Sequence, residues 1–438
     1  MVAEDNICHW SNEMKIKKLS LSNYRGAKSL DLELNKTINV FLGINGAGKS
    51  TVLDAVAIML SWVVSRLKQS RASGRPITEN DVTNGTPVSS IELSCFDGEQ
   101  KVSWKLLKRR KSYMKVKKKS DLSALSNYTK QMQLKIEEQE ENFNLPLFVY
   151  YPVNRSVLDI PIRIRKKHRF DLFAAYDEAL TSGANFRTFF EWFREREDLE
   201  NENRKYKNAF IKPDDFQFPD PQLEAVRRAL NEFLPEFKNL TVRRSPLRME
   251  IDKNGKTLSV DQLSDGEKCL IALVGDLARR LAISNPRKEN PLKGRGVVII
   301  DEIDLHLHPK WQRKIIPTLT SVFSNIQFVV STHSPHVITH VQPEDLFILS
   351  TTDNGIIIQK PTESYGKNVD RVLEDLMGLE TTRPDEVNRL LTVLYETISD
   401  GNTNKAKEQV ANLRDMIGDD PEITKAMVLI KRQEVLGK

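Results

Sequence analysis

Residues 43–50 have the types and spacing needed to bind a phosphate group, since they fit the pattern G-x-x-x-x-G-K-[ST] in full. Glycine lets backbone N–H groups approach phosphate oxygens without an intervening Cβ atom. The apolar segment 38–42 precedes the motif, and the helical pattern 51–67 follows it. We therefore predict a phosphate-binding loop at a helix N-terminus, where unpaired N–H groups and the helix dipole favour anions.

The side chains of this loop predict a nucleoside triphosphate and a divalent cation as its ligands. Lys49 would reach the terminal phosphates of ATP, and the Ser50 hydroxyl would ligate Mg²⁺. A glycine-rich turn with a chance lysine is the alternative, but it does not explain the strand before the motif and the helix after it. The predicted nucleotide-binding residues of the loop are Asn45, Gly46, Ala47, Gly48, Lys49, Ser50 and Thr51.

Two further apolar segments end in side chains that could act on a bound nucleotide. Segment 297–300 is short and β-branched, as expected of a strand buried on both faces of a sheet, and it leads into Asp301 and Glu302. Segment 326–330 is similar and is followed closely by His333. Open α/β sheets bind ligands beyond the carboxyl ends of their strands, so we expect these three side chains to lie near the phosphate loop.

Residues 263–268, with the sequence Leu-Ser-Asp-Gly-Glu-Lys, stand at the start of an apolar-periodic helix, 269–282. Asp265 and Glu267 fall in its first turn, where acidic side chains are favoured. The run is too short to be informative alone, and its place at the start of this helix is what makes it informative.

Together the four motifs resemble those of ABC-type ATPases of the SMC and recombination-repair branch, in which an insertion splits the head. The resemblance implies that Asp301 belongs to the Mg²⁺ shell, that Glu302 polarises the attacking water, and that His333 is the switch histidine at the γ-phosphate. It also implies that Ser264 and the N–H of Gly266 cap ATP held by a partner head. The active site would then close only in a head-to-head dimer. The catalytic residues implied are Glu302, His333 and Lys49.

Three other positions match this branch less directly. Arg25 matches the N-terminal arginine that SMC-type heads place near the nucleotide. Residues 303–309 take the place of the D-loop, and the two histidines there lack the further ligands of a zinc site. The glutamine loop of ABC ATPases has no clear match. Asn154 and Arg155, which follow the strand-like segment 147–151, are the candidates for its place.

Composition limits the class of protein. The 438 residues are enough for about two to three domains. No run of about 18 apolar residues is present, so we predict no transmembrane helix, and the polar start of the chain predicts no secretory signal. The 3 cysteines are scattered, which is typical of a reducing cytosol. We therefore expect a cytoplasmic protein without a membrane partner.

Basic residues are concentrated in segment 101–119, which has no acidic residue, and again in 163–169, although the net charge is only +6. The first cluster would lie on and beyond the second strand of a hairpin formed by 90–96 and 101–107. Such a segment attracts nucleic-acid phosphates through counterion release. Lysines also occur on exposed sheet edges, where they discourage aggregation. Both interpretations remain open.

We predict an α/β fold, namely an ABC-type (P-loop) ATPase head that is split by a small helical insertion and followed by a helical C-terminal tail. Four phenylalanines in 186–193 recur at helical spacing and are expected to be core residues. No heptad pattern long enough for a coiled coil separates the phosphate loop from segment 263–268. The predicted organisation is a leader 1–13, an N-lobe with the phosphate loop and basic hairpin 14–160, a helical insertion 161–238, a C-lobe 239–362 and a partner-docking tail 363–438.

Stretches outside the head motifs narrow the resemblance to the PtuA family, the stand-alone ATPases of Septu-type and retron-associated anti-phage defence. They are residues 189–197, 364–369 and 373–378. Membership implies a separate HNH nuclease, like PtuB, that the ATPase binds and restrains. In a retron version it also implies a reverse transcriptase with its RNA–DNA product.

Three alternatives to this family remain. A DNA-repair ATPase would use the same head to clamp DNA directly. A nuclease with a Toprim domain is disfavoured because the tail is short and lacks suitably placed acids behind strands. Residues 263–268 resemble the ABC signature segment, but Asp265 stands where many transporters have glycine. A transporter ATPase is disfavoured because this signature is atypical and the glutamine loop has no clear match.

Overall fold

The computed structural model describes residues 14–111, 119–139, 143–153, 170–181, 186–213, 216–286, 288–353 and 355–436. The chain forms two compact units, and the boundary between them falls between Lys367 and Asn368. The leader 1–13, the basic cluster 163–169 and the glutamine-loop candidates Asn154 and Arg155 lie outside the described residues.

The strands are β1 (Met14–Tyr24), β2 (Ala27–Glu33), β3 (Ile38–Leu42), β4 (Val88–Asp97), β5 (Gln100–Arg109), β6 (Leu147–Tyr151), β7 (Phe237–Arg244), β8 (Leu247–Lys253), β9 (Lys256–Ser259), β10 (Gly296–Ile300), β11 (Ile326–Thr332), β12 (Leu346–Thr352) and β13 (Gly355–Gln359). The α-helices are α1 (Lys49–Lys68), α2 (Ser123–Gln139), α3 (Phe186–Arg204), α4 (Pro221–Phe233), α5 (Asp265–Ser284), α6 (Pro309–Val322), α7 (Pro335–Ile338), α8 (Val369–Asp375), α9 (Asp385–Ser399), α10 (Thr403–Ile417) and α11 (Pro421–Leu436). Short 3₁₀ helices occupy Leu172–Tyr176, Val260–Gln262, Pro291–Lys293 and Pro343–Asp345.

A mostly parallel sheet forms the centre of the first unit, with the strand order β13-β12-β3-β11-β10-β6 among the described residues. Strands β3, β6, β10 and β11 are buried at every position, as their apolar sequences predict. All neighbouring pairs are parallel except β12 and β13. Because parallel strands end at the same edge of a sheet, the segments that follow β3, β6, β10 and β11 all emerge at one edge.

A second, antiparallel sheet has the order β2-β1-β4-β5 within the described ranges. The predicted hairpin is confirmed, since β4 and β5 pair along their whole length and turn at Gly98, which has a φ of 63°. Helix α1 contacts both sheets, and its apolar residues share one hydrophobic core with them. This core holds the phosphate-loop helix in a fixed position between the two layers.

The four predicted core phenylalanines lie on α3 and are buried. The exposed fraction is 5% for Phe186 and 0% for Phe189, Phe190 and Phe193. Phe189 packs on α5, because a Cβ atom added to Gly275 would lie 2.9 Å from its ring. The helical insertion therefore packs against α5, the helix that begins at the signature segment 263–268. A small sheet with the order β7-β8-β9, which the sequence patterns did not predict, follows α4.

The second unit is helical, as predicted. Helices α9, α10 and α11 pack around a core of their own, which includes Leu394, Ala406 and Ala426. An ion pair at 2.9 Å between Arg383 and Asp420 ties the segment before α9 to the start of α11.

Helix α1 is the described helix that is long and apolar enough, by length and composition alone, to cross a membrane. Its most apolar window is 72% buried inside the protein. A buried core helix passes this test as readily as a membrane-spanning one.

Candidate nucleotide site

The phosphate loop connects β3 to α1 and has backbone conformations that favour glycine. Gly46 has a φ of 84° and Gly48 a φ of 99°, both in the left-handed region. Asn45, Gly46 and Ser50 are exposed, whereas Lys49 is 6% exposed. The Lys49 ammonium donates to the carbonyl oxygens of Gly43 at 2.8 Å and Ile44 at 3.2 Å. The loop thus presents a lysine and N–H groups of α1 at the carboxyl edge of the central sheet.

The hairpin β12–β13 packs against this loop. The sequence patterns did not predict this contact. A Cβ atom on Gly48 would lie 2.2 Å from the Ile356 side chain, and one on Gly43 would lie 2.5 Å from the carbonyl oxygen of Leu349. Gly43 and Gly48 are therefore required for packing against this hairpin, besides the predicted approach to phosphate. The sequence gives little sign of this contact, because Ile356 is simply one residue of an apolar strand.

The carboxylates that follow β10 lie at the same edge and are held by β11. Asp301 is 3% exposed, and its Oδ1 atom accepts a hydrogen bond from the Ser331 hydroxyl. The N–H of Glu302 donates to the same hydroxyl at 2.8 Å. Glu302 has a φ of 49°, which is uncommon for a residue with a side chain. Asp304 accepts from the hydroxyl of Thr332. Sequence patterns missed both hydroxyl residues, although two polar residues at the end of an apolar strand are a usable signal.

The charges of Lys49 and of the nearby carboxylates act on His333. Burial lowers the pKa of His333, and the positive charge of Lys49 lowers it further. Burial also lowers the pKa of Lys49. Three carboxylates oppose both pKa shifts: Asp301, Glu302 and Asp304. The structure therefore brings the predicted lysine, histidine and carboxylates together at one end of the central sheet.

The signature segment begins α5 as predicted. The Ser264 hydroxyl caps this helix by accepting from the N–H of Glu267, whose carboxylate accepts from the N–H of Ser264 at 2.9 Å. Ser264 itself is exposed. Gly266 is buried, and a Cβ atom there would lie 2.4 Å from the carbonyl oxygen of His306. The signature thus packs directly on the D-loop of its own head.

The D-loop histidines have separate surroundings. His306 is exposed and has a φ of 61°. The Nδ1 atom of His308 accepts from the N–H of Lys310 at 3.2 Å and so caps α6. Among the described residues, no group of three or more His, Cys, Asp or Glu side chains could hold a metal ion.

Arg25 is bound to the helix of the phosphate loop. Its guanidinium pairs with Asp54 of α1 and, at 2.8 Å, with Asp81. Arg75 pairs with the same Asp54 at 2.7 Å. These acidic partners were not predicted, although Asp54 is conspicuous as a carboxylate in an apolar helix. The proximity of Arg25 to a bound nucleotide stays a prediction.

The basic hairpin places β5 at an edge of its sheet in the described part of the chain. Lys101, Lys111 and Lys119 are exposed, whereas Lys105 pairs with Glu92 at 3.0 Å. An edge strand rich in lysine fits both the nucleic-acid interpretation and the anti-aggregation interpretation.

The residues present fit a divalent cation next to the phosphates. Hard cations such as Mg²⁺ prefer oxygen ligands and keep several of their waters. Ser50 offers an exposed hydroxyl at the start of α1, and Asp301 offers a carboxylate at the sheet edge. The charge of Asp301 opposes the lowering of the Lys49 pKa, so the carboxylate lies near the lysine of the loop.

The family described as "AAA domain, putative AbiEii toxin, Type IV TA system" matches residues 38–339. The chain is 31% identical to the Retron Ec83 probable ATPase of Escherichia coli, over 88% of this chain and 80% of that protein. It is 24% identical to the Septu protein PtuA of Bacillus thuringiensis, over 94% of this chain and 97% of that one. The SMC head domain from Thermotoga maritima superimposes with a TM-score of 0.42 and 14% identity, over 80% of this chain and 100% of that chain. The chain therefore belongs to this AAA-domain family, as an ATPase related to those of retron and Septu anti-phage defence.

Proposed function

We propose that the protein binds ATP with Mg²⁺ at the loop 43–50 and hydrolyses it there. The observation that carries this proposal is the grouping of Lys49, His333 and three carboxylates at the carboxyl edge of the central sheet. Lys49 neutralises phosphate charge, exchanging its two loop carbonyls for phosphate oxygens. Glu302 acts as the general base for water, and His333 contacts the γ-phosphate.

The residues of this chain also support the cation and the reaction path. Ser50 and Asp301 would hold Mg²⁺, which supplies neutralisation of the charge that develops on the phosphates. The hydroxyl of Ser331 holds the carboxylate of Asp301 and the backbone N–H of Glu302 in place.

A second head is proposed to complete each site. Ser264 and Asp265 are exposed at the N-terminus of α5, where the helix dipole favours an anion. Ser264 and Gly266 would therefore cap the γ-phosphate held by a partner copy of the chain. The close packing of Gly266 on the carbonyl of His306 links this surface to the D-loop of the same head.

Control of a partner HNH nuclease in the cytoplasm is the proposed output. The support is the similarity to a Septu protein over nearly the whole chain, together with exposed apolar side chains that could meet another protein. Met427, Val428 and Val435 of α11 are exposed, and so are Phe210 and Ile211 beyond α3. A retron version would add a reverse transcriptase with its RNA–DNA product.

Purification of the protein with the products of its neighbouring genes tests this output. We expect a stable complex with an HNH protein, whereas the chain alone should bind or hydrolyse ATP and leave DNA and RNA intact. Nuclease activity of the chain alone would contradict the proposal.

Direct action on DNA is the second candidate function, favoured by the exposed lysines on and beyond β5, namely Lys101, Lys111 and Lys119. A DNA-repair ATPase would bind DNA without a nuclease partner. An ATPase rate that rises with added DNA in the absence of any partner would favour this candidate over control of an HNH nuclease.

A further inference from the structure

Ser331 contacts three successive residues of the segment that carries the carboxylates. It lies in β11 and is 0% exposed. Its hydroxyl donates to Asp301, and the N–H of Glu302 donates to the same oxygen at 2.8 Å. Its main-chain carbonyl accepts from the N–H of Ile303 at 2.9 Å.

One hydroxyl can make both side-chain bonds at once, because it has a single O–H donor and two acceptor lone pairs. The donor orients the carboxylate of Asp301, and the acceptor satisfies the amide of Glu302. This amide belongs to a residue with a φ of 49°, a conformation that persists only where the surrounding structure enforces it. Loss of the hydroxyl would remove both restraints together.

We propose that Ser331 is a positioning residue for ATP hydrolysis, which sets the carboxylate of Asp301 and the backbone of Glu302 in their working orientation. The proposal rests on the roles of Asp301 and Glu302 proposed above. The new element is the role of β11, which ends next to His333. This strand fixes the geometry of the carboxylate segment that follows β10. Ser331 is buried in β11 and would act through these two residues.

Steady-state kinetics of Ser331→Ala give the first test. A small displacement of catalytic groups costs up to about 100-fold in rate, so we expect kcat to fall by about 10- to 100-fold while KM for ATP changes little. Ser331→Thr keeps the hydroxyl and should recover a substantial part of kcat.

Ser284→Ala is the matched control for the loss of a buried hydroxyl. Ser284 is also 0% exposed, and its hydroxyl donates to the carbonyl of Leu281 and accepts from Asn285 at 2.9 Å. It is the last residue of α5, at the opposite end from the signature. Its kcat should stay at the wild-type value.

Hydrogen–deuterium exchange, resolved to single amides and measured without nucleotide, gives a second test that does not depend on activity. In Ser331→Ala the amide of Glu302 should exchange faster, since its acceptor is gone. The amide of Ile303 should stay protected, because its acceptor is the main-chain carbonyl of residue 331.

The two measurements together decide the proposal. Wild-type kcat in Ser331→Ala, or unchanged protection of the Glu302 amide, would overturn it. Loss of protection throughout the molecule would also overturn it, because the serine would then be needed for folding rather than for position. A third outcome separates this proposal from the proposed function. If Ser331→Ala speeds exchange at Glu302 but Glu302→Gln still hydrolyses ATP normally, then Glu302 is not the base, while the restraint by Ser331 stands.

Discussion

Glu302 is held in a backbone conformation that costs of the order of 1–3 kcal/mol for a residue with a side chain, and its φ is 49°. The residues around it offset this cost, since its N–H donates to Ser331 and its carbonyl accepts from Leu305 at 3.0 Å. Strain of this kind is typical of side chains that must point at a reacting group. The position of Glu302 is thus specified by its neighbours rather than by local preference.

Replacement of Glu302 by glutamine should separate binding from hydrolysis. Glutamine keeps the size and hydrogen bonding of the side chain but cannot accept the proton of water. We expect ATP binding to persist and phosphate release to fall by about 10²- to 10⁴-fold, the range typical of general-base loss. Equilibrium binding and a phosphate-release assay measure the two effects. A rate near that of the wild type would point to another base, with Asp304 the next residue to substitute.

His333 should be neutral at pH 7 in the absence of nucleotide. Burial and the charge of Lys49 both favour the uncharged ring, so the pKa lies below the ordinary 6.5 despite the nearby carboxylates. In Lys49→Ala the pKa should rise, because one of the two lowering causes is removed. Histidine NMR titration measures both values, with His333→Gln to assign the signal. A pKa above 6.5 in the wild type, or no rise in Lys49→Ala, would contradict this account.

The lowered pKa of His333 also makes the stability of the folded protein depend on pH, and the direction of the pKa shift gives the sign of this dependence. Since the folded protein disfavours the charged ring, His333 favours folding above its unfolded pKa of about 6.5. That contribution is lost as the pH falls through the lower pKa of the folded state.

At the scale of elements, the helix that follows the signature is joined to the central sheet by a buried ionic cluster. Asp276 pairs with Arg279 at 2.6 Å and with Arg280 at 2.7 Å, and all three are at most 1% exposed. Burial opposes ionisation of Asp276, but the two guanidinium groups outweigh it and lower its pKa. The Tyr151 hydroxyl donates to Asp276 at 2.9 Å, and the carbonyl of Tyr151 accepts from the N–H of Asp301. Tyr151 of β6 therefore contacts both helix α5 and the segment that carries the carboxylates.

Asp276→Ala should destabilise the first unit strongly, because two arginines would remain buried without their carboxylate. Breaking a buried pair in this way costs about 3–5 kcal/mol. Urea unfolding of the purified protein measures the free energy. Asp31→Ala is the control, since the pair of Asp31 with Lys18 has side chains that are 64% and 44% exposed and should contribute less than about 1 kcal/mol. Equal effects of the two substitutions would show that the cluster does not support the fold.

At the scale of the whole molecule, the phosphate loop and the signature occupy different parts of the first unit. Lys49 belongs to the sheet edge, whereas Ser264 is exposed at the start of α5. If two copies close on each other, as proposed, each site would take its loop from one copy and its signature from the other. Activity would then be a property of the pair.

Mixing Lys49→Ala protein with Ser264→Arg protein should restore ATPase activity that neither shows alone. The mixed dimer keeps one site with an intact loop and an intact signature, and one site damaged in both. Loss of the Ser264 cap itself costs only about 1 kcal/mol, so the Ser264→Arg protein should stay folded. Phosphate release from the mixture, compared with each variant alone, is the measurement. A fully active Ser264→Arg protein would contradict closure between two heads, and no recovery in the mixture would mean that both sites must be intact.

The sequence alone determined those features that depend on neighbouring residues. The pattern of residues 43–50 and its flanking segments predicted a loop between a strand and a helix, and the apolar runs predicted the buried strands that precede Asp301 and His333. The helical character of the C-terminal tail was also predicted, and helices α8 to α11 confirm it. Periodicity and turn chemistry act over a few residues, so they can be read directly from the chain.

Only the tertiary structure decided which distant residues meet. Ile356 packs on Gly48, Arg25 pairs with Asp54 and Asp81, and Ser331 bonds across strands to the carboxylate segment. The bonds of Ser331 depend on strand order, since β11 lies between β3 and β10 although it follows both in sequence. Strands β7 to β9 were not predicted, although apolar and charged residues alternate along Leu247–Lys253 and are a usable signal for a strand. A local pattern tells which face of an element is apolar, but the element that covers this face is selected by packing of the whole chain.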